Sequence, residues 1–209
     1  MQKVLLMFLA AVVGYLVGCF STGITLSSAQ GVDIRKFGSH NTGASNVLRV
    51  LGAKSGLITF VGDFLKATLA CWIGSLLLPG ATFGINGFGA MLGGLCAVLG
   101  HNWPVFYHFQ GGKGVACSVA VILFVDPLPG AISILLCLAV IAITRYISAG
   151  SMTMLLSYMV LTFILRWGSW PQCLFTVIML GLCVLRHRAN IQRLANGTEN
   201  KIGNKVQTK

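Results

Sequence analysis

The chain has 209 residues, 56% of them hydrophobic and 9% charged, with a mean hydropathy of +0.83. That composition excludes an ordinary soluble domain and points to an integral membrane protein. Fifteen Lys and Arg against four Asp and Glu give a net charge of +11; in a membrane protein this reads first as basic residues retained in cytosolic loops and second as an anionic substrate, with no call for nucleic acid.

Seven apolar segments follow one another, at about 4–26, 55–78, 81–100, 114–125, 128–144, 151–166 and 171–185. The first begins after Lys3 and runs toward Ser27-Ser28-Ala29, which has the look of a signal peptide. Its apolar run is longer than the usual h-region of about 7–15 residues, so it is read as a first transmembrane helix. Breaker residues separate the segments: Pro79-Gly80, Pro104, Asp126-Pro127-Leu128-Pro129-Gly130, Ser148-Ala149-Gly150-Ser151 and Trp167-Gly168-Ser169-Trp170-Pro171. Fusing the fourth and fifth segments would bury Asp126 and two prolines in mid-helix, so they are kept apart. Several later segments fall short of the ~20 residues of a straight span. The expected fold is an all-α integral membrane protein with about seven transmembrane helices, several short, forming a single domain over 1–209.

With the N-terminus outside, the inner loops are 27–54, 101–113 and 145–150, and the tail begins at 186. They then hold Arg35, Lys36, Arg49, Lys54, Lys113, Arg145, Arg186, Arg188, Arg193, Lys201, Lys205 and Lys209, which is 12 of the 15 basic residues. The C-terminus is therefore predicted to be cytosolic. Every polar, glycine-rich loop falls on that one side, which places the candidate site on the cytosolic face. Pairs such as Gly14/Gly18 and Gly89/Gly93 suit close helix packing. Seven cysteines lie in apolar segments without a CxxC pair and are read as small buried apolar side chains.

The second inner loop ends in Gly111-Gly112-Lys113-Gly114. Glycines without Cβ let successive N–H groups converge into an anion-binding nest, and the lysine adds a full positive charge. The P-loop pattern is not met, because position 107 is Tyr and position 114 is Gly. His101 opens the same loop. The first inner loop carries Ser39, Asn41, Gly43, Asn46 and Arg49; its residue types favour turns in any case, but Arg49 can hold a phosphate bidentately. The third offers Ser148 and Ser151, the latter equally suited to an N-cap. If the tail is helical, His187 and Asn190 share one face, and a histidine near its ordinary pKa is a natural base or proton carrier. Asp63 and Lys66 lie one turn apart inside the second helix, either as a structural ion pair or as part of the wall of the site.

Together these segments resemble the bacterial acyl-phosphate:glycerol-3-phosphate acyltransferase family. Three motifs match in order: Gly38-Ser39-x-Asn41-x-Gly43-Ala44-x-Asn46-x-x-Arg49; Gly100-His101-x-x-Pro104-Val105-Phe106 through Gly111-Gly112-Lys113-Gly114-Val115-Ala116; and Arg186-His187-x-x-Asn190-Ile191-x-Arg193-Leu194, with Gly197 and Glu199 beyond. Asp63-x-x-Lys66 also looks like the family. Ser45 stands where the family usually has Thr, and Ala67 where Gly usually follows the lysine. The resemblance implies an acyl phosphate donor from the bilayer and glycerol 3-phosphate from the cytosol, in a bacterial cytoplasmic (inner) membrane. It implies no cofactor, no metal, no nucleic acid and no obligate protein partner. Ser39, Arg49, Lys113, His187 and Asn190 would be catalytic. Asn41, Gly43, Asn46, His101, Gly111, Gly112, Gly114, Ser148 and Glu199 would bind substrate phosphate. A transporter of phosphate or a phosphorylated metabolite is the alternative; an acyltransferase using His followed five residues later by Asp is disfavoured, since Ser45, Phe106, Lys113 and Gln192 occupy those positions.

Overall fold

The computed structural model describes residues 1–82 and 85–203. Residues 83 and 84 of the third apolar segment, and Lys205 and Lys209 of the tail, lie outside the described residues. In lipid every backbone polar group must be satisfied within the chain, and helices are how this sequence does it. They are α1 (Gln2–Cys19), α2 (Thr22–Ala29), α3 (Ala44–Leu77), α4 (Phe88–Asn102), α5 (Val115–Val125), α6 (Pro127–Thr144), α7 (Ile147–Leu165) and α8 (Trp170–Ala195). A short antiparallel pair, Ala81–Thr82 with Ile85–Asn86, precedes α4. Among the described residues, five stretches are long and apolar enough to cross a membrane: α1 with α2, α3, α6, α7 and α8. Each of the seven apolar segments contributes a helix, although the third opens with the strand pair and becomes helical only from Phe88, and the protein is a multi-pass integral membrane protein.

The helix breaks have local causes. Between α1 and α2, Phe20 is extended and Ser21 caps the second helix by accepting from Ile24 N–H at 3.3 Å. Inside α3, Gly52 has φ 85° and ψ 178°, outside the helical region, and Gly56 lets the preceding turn fold back with Leu48 against it. Between α5 and α6, Pro127 starts a helix where its missing N–H costs nothing. The buried Asp126 before it accepts from Arg166 Nε at 2.8 Å and Nη2 at 3.0 Å. That bidentate pair is why an acidic residue is tolerated between two apolar segments.

The described residues form two compact units, 1–125 and 126–203. In the first, α1 and α3 both pack on α4. Small residues set the distance: a Cβ on Gly14 would lie 2.6 Å from the Gly93 carbonyl oxygen, and one on Gly74 would strike the Gly89 carbonyl. This bears out the close packing read from the glycine spacing. A small core of Ile24, Ile34 and Val47 gathers Val50, Leu51 and Tyr107 around it, tying the first polar loop to the second. In the second unit, α7 packs on both α6 and α8.

The loops are shorter than expected. The 27–54 region holds the end of α2, a 3-10 turn at Ile34–Lys36 and the first turns of α3. The 145–150 loop shrinks to Arg145 and Tyr146, because Arg145 adopts a left-handed C-cap (φ 63°) and helix resumes at Ile147. The tail continues α8 to Ala195, so His187 and Asn190 do share a helical face.

Candidate active site

The first polar loop is organised by Asn46, which is 1% exposed. Its Oδ1 accepts from Ser39 N–H at 2.8 Å, and its Nδ2 donates to the carbonyls of Asn41 (2.9 Å), Phe37 (3.0 Å) and Ile34 (3.2 Å). One amide thus fixes the backbone of the whole serine-bearing turn. Asn41 Oδ1 accepts from Gly43 N–H at 2.9 Å, closing a second turn just before α3. Ser39 is half-buried with its backbone clamped, and Arg49 follows in the first turns of α3. Arg35 is paired to Asp33 at 2.9 Å, which draws that cation back onto its own loop.

The second loop is built around α4's C-terminal end. Gly112 N–H donates to the His101 carbonyl at 3.0 Å, and Phe109 N–H to the Pro104 carbonyl at 2.9 Å. His108 and Phe109 both take left-handed backbone angles (φ 52° and 59°), a conformation that costs roughly 1–2 kcal/mol per non-glycine residue. The loop is held that tightly just before the glycines. A Cβ on Gly111 would strike the His101 carbonyl, and one on Gly112 the His101 ring at Nε2. Gly114 has φ +75° and lies against Asn102, whose Oδ1 would sit 2.9 Å from an added Cβ. α5 starts at the next residue. Lys113 is therefore held, half-buried, between glycines that no other residue can replace without displacing backbone or ring, beside the N–H end of a helix. Asn102 is fully buried, and neither polar atom of its side-chain amide has a hydrogen-bond partner among the described residues.

Behind that loop lies a charged cluster. Asp63, Lys66 and His101 are all buried. Lys66 Nζ is 2.8 Å from Asp63 Oδ1 and 3.0 Å from His101 Nδ1, and it also donates to the Phe20 carbonyl freed by the α1–α2 break. The Asp63/Lys66 pair is thus an ion pair that also touches a residue of the candidate site.

The second unit holds its own polar cluster. Glu199 Oε1 accepts from Asn190 Nδ2 at 2.7 Å and Ser148 Oγ at 3.1 Å, and Oε2 accepts from Arg193 Nε at 2.8 Å. Burial works against this carboxylate, but the bonds from Asn190, Arg193 and Ser148 outweigh it and hold its pKa below the ordinary value. Ser151 does not cap α7; it donates to the Ile147 carbonyl at 2.8 Å. His187 is 2% exposed, with Nδ1 2.9 Å from the Cys183 carbonyl. A carbonyl oxygen only accepts, so the Nδ1–H donates there. The tail returns to α6's end, where Ile202 N–H donates to the Arg145 carbonyl at 2.9 Å.

Sequence reasoning brought out the loops but missed three things: the orphaned amide of Asn102, the link from His101 to the Asp63–Lys66 pair, and the role of Arg193 on Glu199. Arg193 sits six residues from Glu199 across a helix end, a separation with no helical periodicity to flag it. Among the described residues, no three His, Cys, Asp or Glu side chains cluster as a metal site needs.

Residues 8–197 match the glycerol-3-phosphate acyltransferase family. The chain belongs to that family. A glycerol-3-phosphate acyltransferase of Thermoanaerobacter pseudethanolicus is 43% identical over 202 residues, spanning 96% of this chain and 98% of its own. One from Thermus thermophilus is 41% identical over 198 residues, spanning 93% and 94%. The crystal structure of PlsY (YgiH), an integral membrane glycerol 3-phosphate acyltransferase, in its glycerol 3-phosphate form superposes with a TM-score of 0.86 at 35% identity, covering 94% of this chain and 96% of that one. Its lysophosphatidic acid form superposes with a TM-score of 0.83 at 34% identity. The acyltransferase family so matched includes all three motif regions read from the sequence, up to Gly197.

Proposed function

We propose that this protein transfers a fatty acyl group from an acyl phosphate to the 1-hydroxyl of sn-glycerol 3-phosphate. The products are 1-acylglycerol 3-phosphate and inorganic phosphate, and the reaction runs at the cytosolic face of a bacterial cytoplasmic membrane. The observation that carries this reading is the loop around Lys113, a cation set between closely packed glycines just before α5, in a chain whose family is named for a phosphate ester. An acyltransferase family, and solved structures of relatives named with an acceptor and a lysophosphatidic acid, favour acyl transfer over transport.

Lys113 and the turn formed by Gly111, Gly112 and Gly114, with the Gly112 N–H held by the His101 carbonyl, bind one phosphate, and Arg49 binds the other. Ser39, Asn41, Gly43 and Asn46 shape the first loop, with the Ser39 hydroxyl directed to substrate. Ser148 and Asn190, ordered by Glu199, position substrate oxygens, and His187 Nε2 accepts from the attacking hydroxyl. The hydroxyl oxygen attacks the acyl carbonyl carbon. The bond from that carbon to the phosphate oxygen breaks, and phosphate leaves carrying the hydroxyl proton. Phosphate is a good leaving group, so no strong acid is required. The rate comes from positioning and from charge stabilisation in a partly dry site.

The test uses purified protein in lipid with palmitoyl phosphate and glycerol 3-phosphate, following phosphate and lysophosphatidate together, with palmitoyl-CoA in parallel. One-to-one formation with the acyl phosphate alone is the expected result. Phosphate release without lysophosphatidate, or turnover with the CoA ester alone, would overturn the reading.

A further inference from the structure

Three ionisable side chains are packed into the first unit away from water: Asp63 at 1% exposure, Lys66 at 7% and His101 at 6%. A buried ion pair is a poor way to stabilise a fold, since well-packed apolar residues usually do as well or better. This one has a specific outlet. An ammonium has three donors and no acceptor. Lys66 spends them on Asp63 Oδ1, on the Phe20 carbonyl and on His101 Nδ1 at 3.0 Å. Asp63 Oδ1 also faces Nδ1, but farther off at 3.7 Å, so the nearer ammonium favours an Nδ1 that accepts. A second positive charge on the ring would sit against the ammonium at 3.0 Å, and a buried site screens such repulsion weakly. Nε2 is the edge turned to the glycine loop, because a Cβ on Gly112 would run into it. The same residue's carbonyl receives the Gly112 N–H at 3.0 Å. Asp63 is itself oriented by Thr22 Oγ1 at 3.4 Å and, through its carbonyl, by Cys117 Sγ at 3.3 Å.

We infer that Asp63 and Lys66 are positioning residues that fix His101 as its Nε2–H tautomer, and that this N–H is a further donor to the phosphate group bound by the Gly111–Gly114 loop, taking that loop as the phosphate cradle proposed above. The cradled phosphate belongs either to the acceptor or to the acyl phosphate, and the effect on each substrate tells them apart.

The experiment uses the full chain in lipid nanodiscs. The chain has four histidines, so 15N-histidine labelling with a His101→Asn control assigns the His101 ring nitrogens. The wild type is expected to show a neutral ring protonated at Nε2, with that resonance shifting on addition of inorganic phosphate. His101→Asn keeps an acceptor near Nδ1 for Lys66 and removes Nε2. It is expected to raise KM for one of the two phosphate substrates about tenfold, the effect of one charge-assisted hydrogen bond, with the other KM within about twofold. His101→Gln, whose amide extends toward the Nε2 position, should recover part of that loss. The neutral pair Asp63→Asn with Lys66→Met leaves no lone buried charge, and it should raise the same KM and populate the Nδ1–H tautomer. A wild-type ring that is doubly protonated or carries its proton on Nδ1 would overturn the inference. So would a folded His101→Asn protein with both KM values unchanged or raised equally. Absence of acyl transfer in the wild type would defeat the proposed function instead, while the tautomer and its response to phosphate would still be read.

Discussion

Asn190 donates its side-chain amide to Glu199 Oε1 at 2.7 Å, and that carboxylate is itself buried among Ser148 and Arg193. The donors proposed to face substrate are thus aligned by an acceptor that belongs to the protein. Glu199→Gln puts an NH2 group opposite donors and removes a charge-assisted bond to Arg193. It is expected to lower stability by about 1.5–3 kcal/mol at neutral pH, measured as the shift in thermal unfolding of the purified protein. Because the folded pKa of Glu199 lies below its ordinary 4.5, its carboxylate stabilises the fold above that ordinary value. The contribution is lost as pH falls through the lowered folded value. The gap between wild type and Glu199→Gln should accordingly close on acidification, and a gap constant down to low pH would contradict the linkage.

The glycines of this chain are not equivalent. A Cβ on Gly112 would drive into the His101 ring, whereas one on Gly181 in α8 meets nothing within 4 Å. Gly112→Ala should weaken the KM for a phosphate substrate by about tenfold or more, because the loop must move off the ring. Gly181→Ala should leave turnover unchanged and raise stability by about 0.5–1 kcal/mol, the gain from replacing a helical glycine. Steady-state kinetics and thermal unfolding on the two variants side by side check both statements.

Lys113 is the cation of the glycine loop, and Gly114 (φ +75°) next to it lets α5 begin immediately after it. Lys113→Ala removes the charge proposed to stabilise the reacting phosphate while leaving the glycines in place. Turnover should fall on the order of 10²–10³-fold, the loss seen when one stabilising donor is removed from a preorganised site, in a variant shown to be folded. Near-normal turnover in a folded variant would remove the loop from the mechanism.

Much of this architecture was legible in the sequence because the constraints were local. Apolar run length and breaker residues located a helix in each of the seven segments, though not the break between α1 and α2 or the strand pair before α4, and the Gly14/Gly18 and Gly89/Gly93 spacings marked real helix contacts. Gly111 to Gly114 read as a cradle because glycine's lack of Cβ is a property of the residue itself. What did not show were relationships across long separations. His101 meets Lys66 across 35 positions, and Ser148 meets Glu199 across 51. The helix ends also escaped. Polar Ser, Asn and Arg residues suggested a loop through 44–54, and the last apolar segment was ended at 185, but α3 and α8 carry those residues on further helical turns. Propensity loses to tertiary packing there.

Ser39 and Asn46 separate the shape of the first loop from its chemistry. Asn46 holds the Ser39 N–H at 2.8 Å and three carbonyls besides, so Asn46→Ala leaves buried backbone groups unpaired. That variant should lose about 2–4 kcal/mol of stability and its activity together, since several buried bonds go at once. Ser39→Ala leaves every one of these bonds in place, because only its backbone takes part in them. It should unfold at the wild-type temperature yet lose roughly 10²-fold or more in acyl transfer, the scale of losing a positioned hydroxyl at the reacting centre. The measurement is a paired one, thermal unfolding and lysophosphatidate formation on the same preparations. A Ser39→Ala protein that is stable and active would reduce the serine to a turn residue, with Asn46 the sole reason that the loop has its shape.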